Sequence, residues 1–138
     1  MSAVRSKTDL VAHAVWAVAG RRPSLAPVHD AWLLDTLQRK VDALGGGLLS
    51  FGSADDHVHI VVRYPGNLAL STLVGEAKGY SAFIWNRATP ARDTLAWQDG
   101  YWAESCRPDD LDALLRYVAS QRRRHAAPCE PESWEAAW

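Results

Sequence analysis

HVHIVVRY, at residues 57–64, sets the two faces of the predicted sheet and is followed by a Pro-Gly pair. A short run of β-branched residues that ends at a turn signal predicts a β-strand. Because side chains alternate between the faces of a strand, the aliphatic residues at positions 58, 60 and 62 point into a helix-covered core. His57 and His59 then point to the uncovered face, about 7 Å apart along the strand.

The remaining sequence predicts three more strands and three helices around this strand. Apolar runs bounded by glycine or proline indicate strands, and apolar stripes at helical spacing indicate helices. The strands are predicted at residues 10–18, 48–52 and 97–105, and the helices at residues 27–44, 70–87 and 108–124. The order β-α-β-β-α-β predicts an α+β fold, a ferredoxin-like antiparallel sheet with two helices on one face. An additional C-terminal helix has no room on that face, so we expect it across the other face or on a partner.

The composition is that of one globular domain. The 138 residues are 48% hydrophobic and 22% charged, which excludes a disordered or fibrous chain. We expect a single domain over residues 1–138, with its core at residues 10–125 and a C-terminal tail at residues 126–138. The chain shows no apolar run of ~20 residues, no signal-peptide pattern and no CxxC motif, so we expect a cytoplasmic protein without membrane contact.

Four polar residues are candidates for a chemical site. His57 and His59 can share a divalent cation, but an HxH pair also occurs as two half-buried histidines and names no reaction by itself. Tyr117 and Gln121 are i, i+4 neighbours at the edge of an apolar helix stripe, where amphipathic packing alone would also explain them. His13, on the first predicted strand, is expected to be a core histidine.

Five segments, in order along the chain, resemble the signature blocks of the single-tyrosine HUH transposases. These are the small transposases of bacterial insertion sequences and their relatives associated with repetitive extragenic palindromes. The segments are HAVWAVAGRRP (residues 13–23), DHVHI (56–60), KGYSAFI (78–84), WQDGYWAES (97–105) and RYVASQ (116–121). An HxH motif followed by YxxxQ, with these blocks between them, is a far more specific sign of this family than HxH alone.

The resemblance implies a mechanism and a set of functional residues. Tyr117 would be the nucleophile, and His57, His59 and Gln121 would bind a divalent metal, magnesium or manganese. The implied reaction is cleavage and rejoining of single-stranded DNA beside a hairpin, through a covalent 5′-phosphotyrosine intermediate. Family members are commonly dimers, so we expect a homodimer that acts on hairpin DNA. The softness of two imidazole ligands by itself would favour zinc or manganese.

Basic residues supply candidate DNA contacts. We expect Arg122, Arg123 and Arg124 to clamp the DNA backbone, and Arg63 and Lys78 to contact phosphate, although solvated surface residues would give the same pattern. Asp56 is either an orienting partner of a ligand histidine or an ordinary turn residue.

Two other functions stay open at this point. A domesticated relative could bind a DNA or RNA hairpin without catalysis. The net charge of −1 favours that reading, because nucleic-acid-binding proteins usually carry a basic surplus, and the intact set of four site residues opposes it. An unrelated zinc hydrolase would need a further ligand near His57, such as His125.

Overall fold

An antiparallel sheet with helices on both faces makes up the structure. The computed structural model describes residues 6–88 and 94–125, and the predicted tail at residues 126–138 lies outside the described residues. Within those ranges the strands are β1 (Leu10–Ala17), β2 (Gly47–Ser53), β3 (His57–Tyr64) and β4 (Trp102–Ser105), and the α-helices are α1 (Asp30–Ala43), α2 (Leu70–Ala88), α3 (Leu111–Ala119) and α4 (Gln121–His125). None of the helices in this described part of the chain is both long and apolar enough to span a bilayer.

The strand order is β2-β3-β1-β4, and all neighbouring strands are antiparallel. β3 therefore lies inside the sheet, between β1 and β2, and its first six residues are buried. This order and these directions are those of a β-α-β-β-α-β chain whose two β-α-β units interlock. The predicted α+β class and ferredoxin-like arrangement are confirmed.

One face of the sheet packs against α1 and α2 and forms the main core. Val58, Ile60 and Val62 point to this face, as their alternation predicts, and all three are fully buried. They belong to one cluster with Leu37 of α1 and Leu73 of α2. Full burial of such a side chain is worth about 1.5–3 kcal/mol, so this face supplies the main hydrophobic stabilisation. The odd-numbered residues of β3 are left for the opposite face.

The opposite face is covered by α3 of the same chain. Val118 of α3 packs against Val11 and Val61 of the sheet. A Cβ atom at Gly52 of β2 would overlap the carbonyl oxygen of Val118 and lie 2.8 Å from its carbonyl carbon. The absence of a side chain at Gly52 therefore lets the helix backbone reach the strand. The C-terminal helix was expected either across the sheet face opposite α1 and α2 or on a partner, and the structure shows it across that sheet face.

Two elements differ from the expectation. β4 begins at Trp102 instead of residue 97, because Gly100 adopts a φ of 85° and turns the chain, and Trp97 forms only an isolated bridge with Val18.

The C-terminal helix, expected to be continuous over residues 108–124, ends at Ala119 and begins again at Gln121. The hydroxyl of Ser120 donates to the carbonyl oxygen of Tyr117. In a continuous α-helix this oxygen would accept from the backbone N–H of Gln121, so the hydroxyl competes with the helix at this point.

Substitution of Gly52 by alanine tests the contact between α3 and the sheet. The added methyl group meets backbone atoms, which cannot move aside as a side chain can, so we expect Gly52→Ala to lower the free energy of unfolding by at least about 1–3 kcal/mol. Gly75→Ala is the matched control. Gly75 lies in α2 with no atom near the added Cβ, so this change should be neutral or should stabilise by up to about 1 kcal/mol. Urea unfolding measures both, and equal stability of Gly52→Ala and wild type would contradict the close contact.

Candidate active site

His57 and His59 lie side by side on the sheet face that α3 covers. Their ring centroids are 5.0 Å apart, and the two residues are 1% and 0% exposed. His57 pairs with Ala17 of β1, and His59 pairs with Val15 of β1 and with Gly52 of β2. The prediction that both imidazoles share one face is confirmed, but the expectation of an uncovered face is wrong, because the C-terminal helices close over it.

Asp56 holds the ring of His57. The Nδ1 atom of His57 donates to Oδ1 of Asp56 at 2.7 Å, and Nε of Arg21 donates to Oδ2 at 2.8 Å. Burial alone would raise the pKa of Asp56, but the hydrogen bonds from His57 and Arg21 outweigh burial and lower this pKa to about 2. Asp56 is thus an ionised acceptor that fixes the orientation of His57, and not merely a turn residue.

His13 holds the ring of His59. The Nε2 atom of His13 and the Nδ1 atom of His59 share a buried hydrogen bond of 2.8 Å, and the two ring planes are within 20° of parallel, with centroids 5.1 Å apart. Burial lowers the pKa of His13 to about 4. It also lowers the pKa of His59 well below its ordinary value, with a further contribution from neighbouring histidines. Both rings are therefore neutral at neutral pH. His13 is buried, as expected of a core histidine, but its bonding partner is a site residue.

Tyr117 approaches the histidines from α3. Its ring centroid lies 5.8 Å from that of His59 and 6.0 Å from that of His13, in edge-on arrangements. The guanidinium carbon of Arg124 lies 4.7 Å from the centre of the Tyr117 ring, within the range of a cation–π contact. The phenol is half-buried, so it is held against the imidazoles while it keeps access to solvent.

Gln121 is the first residue of α4 and is fully buried. Its Nε2 atom donates to the carbonyl oxygen of Tyr117 at 3.2 Å, and its Oε1 atom shares a hydrogen bond of 3.1 Å with Nε2 of His125. The His125 ring centroid lies 4.8 Å from that of His57. The side chain also passes over Gly52, the residue paired with His59. The four candidate residues therefore meet on one face of one chain.

Arg122 anchors α4 and does not face outward as a free cation. Its guanidinium donates to both carboxylate oxygens of Asp30 at 2.8 Å, to Asp55 at 3.0 Å and to the carbonyl oxygen of Leu25 at 3.0 Å. The hydrogen bond with Asp30 is the main cause of its raised pKa. The next residue, Arg123, is exposed. Of the three expected DNA clamps, Arg122 thus has an internal role. Arg123 and Arg124 are exposed, and Arg124 lies over the Tyr117 ring.

The other two candidate DNA contacts lie away from this site. Arg63, at the far end of β3, pairs with Asp9 at 3.0 Å. Lys78 belongs to α2 on the opposite face of the sheet, and its ammonium donates to the carbonyl oxygens of Gln98 and Gly100 at 2.8 Å. Burial is the main cause of the lowered pKa of Lys78. The structure does not bring either residue together with Tyr117.

The donor set fits a divalent metal. His57 and His59 offer neighbouring imidazoles and Gln121 offers an amide oxygen, all on one face of one chain. Two imidazoles suit zinc, whereas an amide oxygen suits magnesium or manganese, so this mixed donor set is compatible with any of the three ions. Within residues 6–88 and 94–125, no group of three His, Cys, Asp or Glu side chains has the spacing of a metal site.

Sequence reasoning missed the contacts of three residues at the site, although it named His13 as a core histidine and His125 as a candidate zinc ligand near His57. His13 is one, because its proximity to His59 depends on the β1–β3 register, which one sequence does not specify. Arg21 reaches Asp56 from a short 3-10 turn. His125 follows Gln121 by four residues, and this i, i+4 spacing is the signal that could have identified their contact.

Comparison with known proteins identifies the family. A family model described as "Transposase IS200 like" matches residues 6–121. The chain belongs to the IS200-like transposase family. No curated protein matches the chain in sequence.

Two solved structures share the fold. A "putative transposase" from Deinococcus radiodurans R1 is 21% identical, with a TM-score of 0.68 over 88% of this chain and 98% of that chain. A REP-associated tyrosine transposase bound to a REP hairpin is 17% identical, with a TM-score of 0.64 over 91% of this chain and 74% of that chain. At these identities the likeness establishes the fold alone.

Removal of the Arg122 side chain tests its anchoring role. Arg122→Ala leaves the Asp30 and Asp55 carboxylates without their shared donor, so we expect a loss of about 1.5–3 kcal/mol in the free energy of unfolding. Arg123→Ala is the matched control on the exposed neighbour and should change stability by less than about 0.5 kcal/mol. Urea unfolding of both variants is the measurement, and equal small effects would contradict an anchoring role.

Proposed function

We propose that this transposase-family chain cleaves and rejoins single-stranded DNA through a covalent 5′-phosphotyrosine on Tyr117. The observation that carries the proposal is the position of the Tyr117 ring, 5.8 Å from the ring of His59 and on the same face as His57 and Gln121. A phenol, two imidazoles and an amide oxygen are a nucleophile and a set of cation ligands. A purely structural role would not require these groups to meet on one polar face.

The proposed reaction exchanges one phosphodiester bond for another, so the energy of the bond is conserved. The Tyr117 oxygen forms a bond to phosphorus as the bond from phosphorus to the 3′ oxygen of the DNA breaks. The phenol loses its proton, and the departing 3′ oxygen gains one. Since no water enters, another 3′ hydroxyl can attack the phosphotyrosine and reverse the step, which joins a strand without an external energy source.

His57, His59 and Gln121 would hold the divalent metal, magnesium or manganese. When bound, the metal supplies a positive charge that offsets the charge developing on the transferred phosphate. Asp56 and His13 keep the two imidazoles in fixed orientations. Arg124, whose guanidinium lies over the Tyr117 ring, is placed where it can meet the DNA backbone.

The proposed substrate is single-stranded DNA next to a hairpin. One structural neighbour is bound to a REP hairpin. Arg124 provides positive charge over the Tyr117 ring, and Arg123 is exposed next to it on the same helix. The net charge of −1 makes this local concentration the main electrostatic attraction for DNA. Contacts from Arg63 and Lys78 remain predictions, and binding by those residues would extend the DNA path well beyond the site.

Two alternative functions, a zinc hydrolase and a non-catalytic hairpin-binding protein, differ in how well they agree with the family and the site. His125 lies near His57, as a zinc hydrolase would require, but membership of the transposase family excludes an unrelated hydrolase. A hairpin-binding relative without catalysis is the remaining alternative, and it predicts DNA binding without a covalent adduct. The expected homodimer and cytoplasmic location stay predictions, and a homodimer is not needed to supply any of the four site residues.

Tyr117→Phe tests the nucleophile. Mixed with hairpin-containing single-stranded DNA and manganese, wild type should form an adduct that survives SDS, and Tyr117→Phe should lose it by more than about 1,000-fold. Hairpin affinity should stay within about twofold, because the variant keeps the ring and its packing. Tyr101→Phe, which removes a phenol hydroxyl away from the site, should form the adduct at the wild-type rate. Undiminished adduct with Tyr117→Phe would refute the assignment, and binding without adduct in wild type would favour the non-catalytic alternative.

Mixing two inactive variants tests whether the site is built within one chain. Tyr117→Phe keeps the histidines, and the double variant His57→Ala, His59→Ala keeps the tyrosine. Because Tyr117 lies against the histidines of its own chain, an equimolar mixture should remain inactive. Each variant mixed with wild type should keep the activity of the wild-type chains. Recovery of adduct formation in the mixture of inactive variants would show that the tyrosine serves a partner's histidines.

A further inference from the structure

His13 and His59 come together through the register of β1 and β3. His59 pairs with Val15, and His13 lies two residues earlier on β1, so the two histidines are diagonal neighbours on one face. Their hydrogen bond of 2.8 Å joins Nε2 of His13 to Nδ1 of His59, and both residues are buried. The contact is thus a consequence of the sheet itself and does not depend on a mobile surface side chain.

We infer that His13 is a positioning residue that accepts the Nδ1 proton of His59 and thereby directs the Nε2 lone pair of His59 into the site. This inference rests on the proposed function, in which His59 is a metal ligand. A neutral imidazole has one protonated nitrogen and one lone pair, so the partner of one nitrogen determines what the other can do. For Nε2 of His59 to bind a cation, Nδ1 must carry the proton. His13 must then present a bare Nε2 and keep its own proton on Nδ1.

The two ligand histidines therefore have acceptors of different charge. Asp56, an ionised carboxylate, accepts from His57, whereas His13 is a neutral imidazole in the corresponding position for His59. A partner that accepts the outer N–H of a ligand histidine fixes its tautomer and ring orientation. A neutral acceptor does this for His59 without a second negative charge beside the position of the DNA phosphate. With Asp56 holding His57 and His13 holding His59, both imidazoles are oriented while the site carries only one partner carboxylate and stays attractive to an anionic substrate.

The test compares variants at position 13 by two readouts. His13→Phe keeps a flat ring but removes the acceptor, and His13→Gln retains an acceptor in its amide oxygen. In the metal-free protein, ¹⁵N chemical shifts should place the His59 proton on Nδ1 in wild type and in His13→Gln. His13→Phe should show a mixture of tautomers. Manganese affinity, titrated by electron paramagnetic resonance without DNA, should fall by about 10–100-fold in His13→Phe and by much less in His13→Gln.

Specific outcomes would overturn the inference. A proton on Nε2 of His59 in the wild-type protein would contradict the inference. This measurement needs no variant, so it decides the question even if His13→Phe fails to fold. Wild-type tautomer and manganese affinity in a folded His13→Phe would also contradict it. The proposed function fails separately, if wild type with the Nδ1-protonated His59 forms no adduct with hairpin DNA.

Discussion

The close contact between the backbone of Val118 and Gly52 is the constraint on which the site depends. It brings α3 onto the polar face of the sheet at a separation that any side chain at position 52 would prevent. Arg122 then ties α4 to Asp30 and Asp55, on the segments that flank β2. The contact between Val118 and Gly52 sets the distance of α3 from the sheet. The hydrogen bonds of Arg122 set the position of α4 along the sheet. Together they place a phenol and an amide opposite two imidazoles.

The sheet separates stability from chemistry. Its aliphatic face packs on α1 and α2, and its other face carries histidines that would be costly to bury without hydrogen-bond partners. Asp56 and His13 supply those partners, one charged and one neutral. Because the imidazoles are oriented before any ligand arrives, little reorganisation is needed at the site. Polar residues at the centre of a small domain are thereby compatible with a stable fold.

The sequence alone predicted the parts of the structure that depend on local pattern. Alternation in β3 assigned its two faces, and the order of elements predicted the sheet. The break at Ser120 was missed because a helical spacing continues through it, and the competing hydroxyl bond leaves no trace in an apolar stripe. The late start of β4 depends on one positive φ at Gly100. The role of His13 and the internal pairing of Arg122 depend on register and on distant carboxylates, which no single sequence specifies.

One chain places Tyr117 against its own His59, and Gln121 on the same face of the sheet as His57 and His59. The most direct test is a crystal structure of the protein with manganese, in which anomalous scattering locates the ion. We expect one anomalous peak per chain, within bonding distance of Nε2 of both histidines and Oε1 of Gln121 from that same chain, with the Tyr117 hydroxyl facing it. A peak bonded to the histidines of one chain and the Gln121 of another, or no peak at the histidines at all, would contradict a metal site built within one chain.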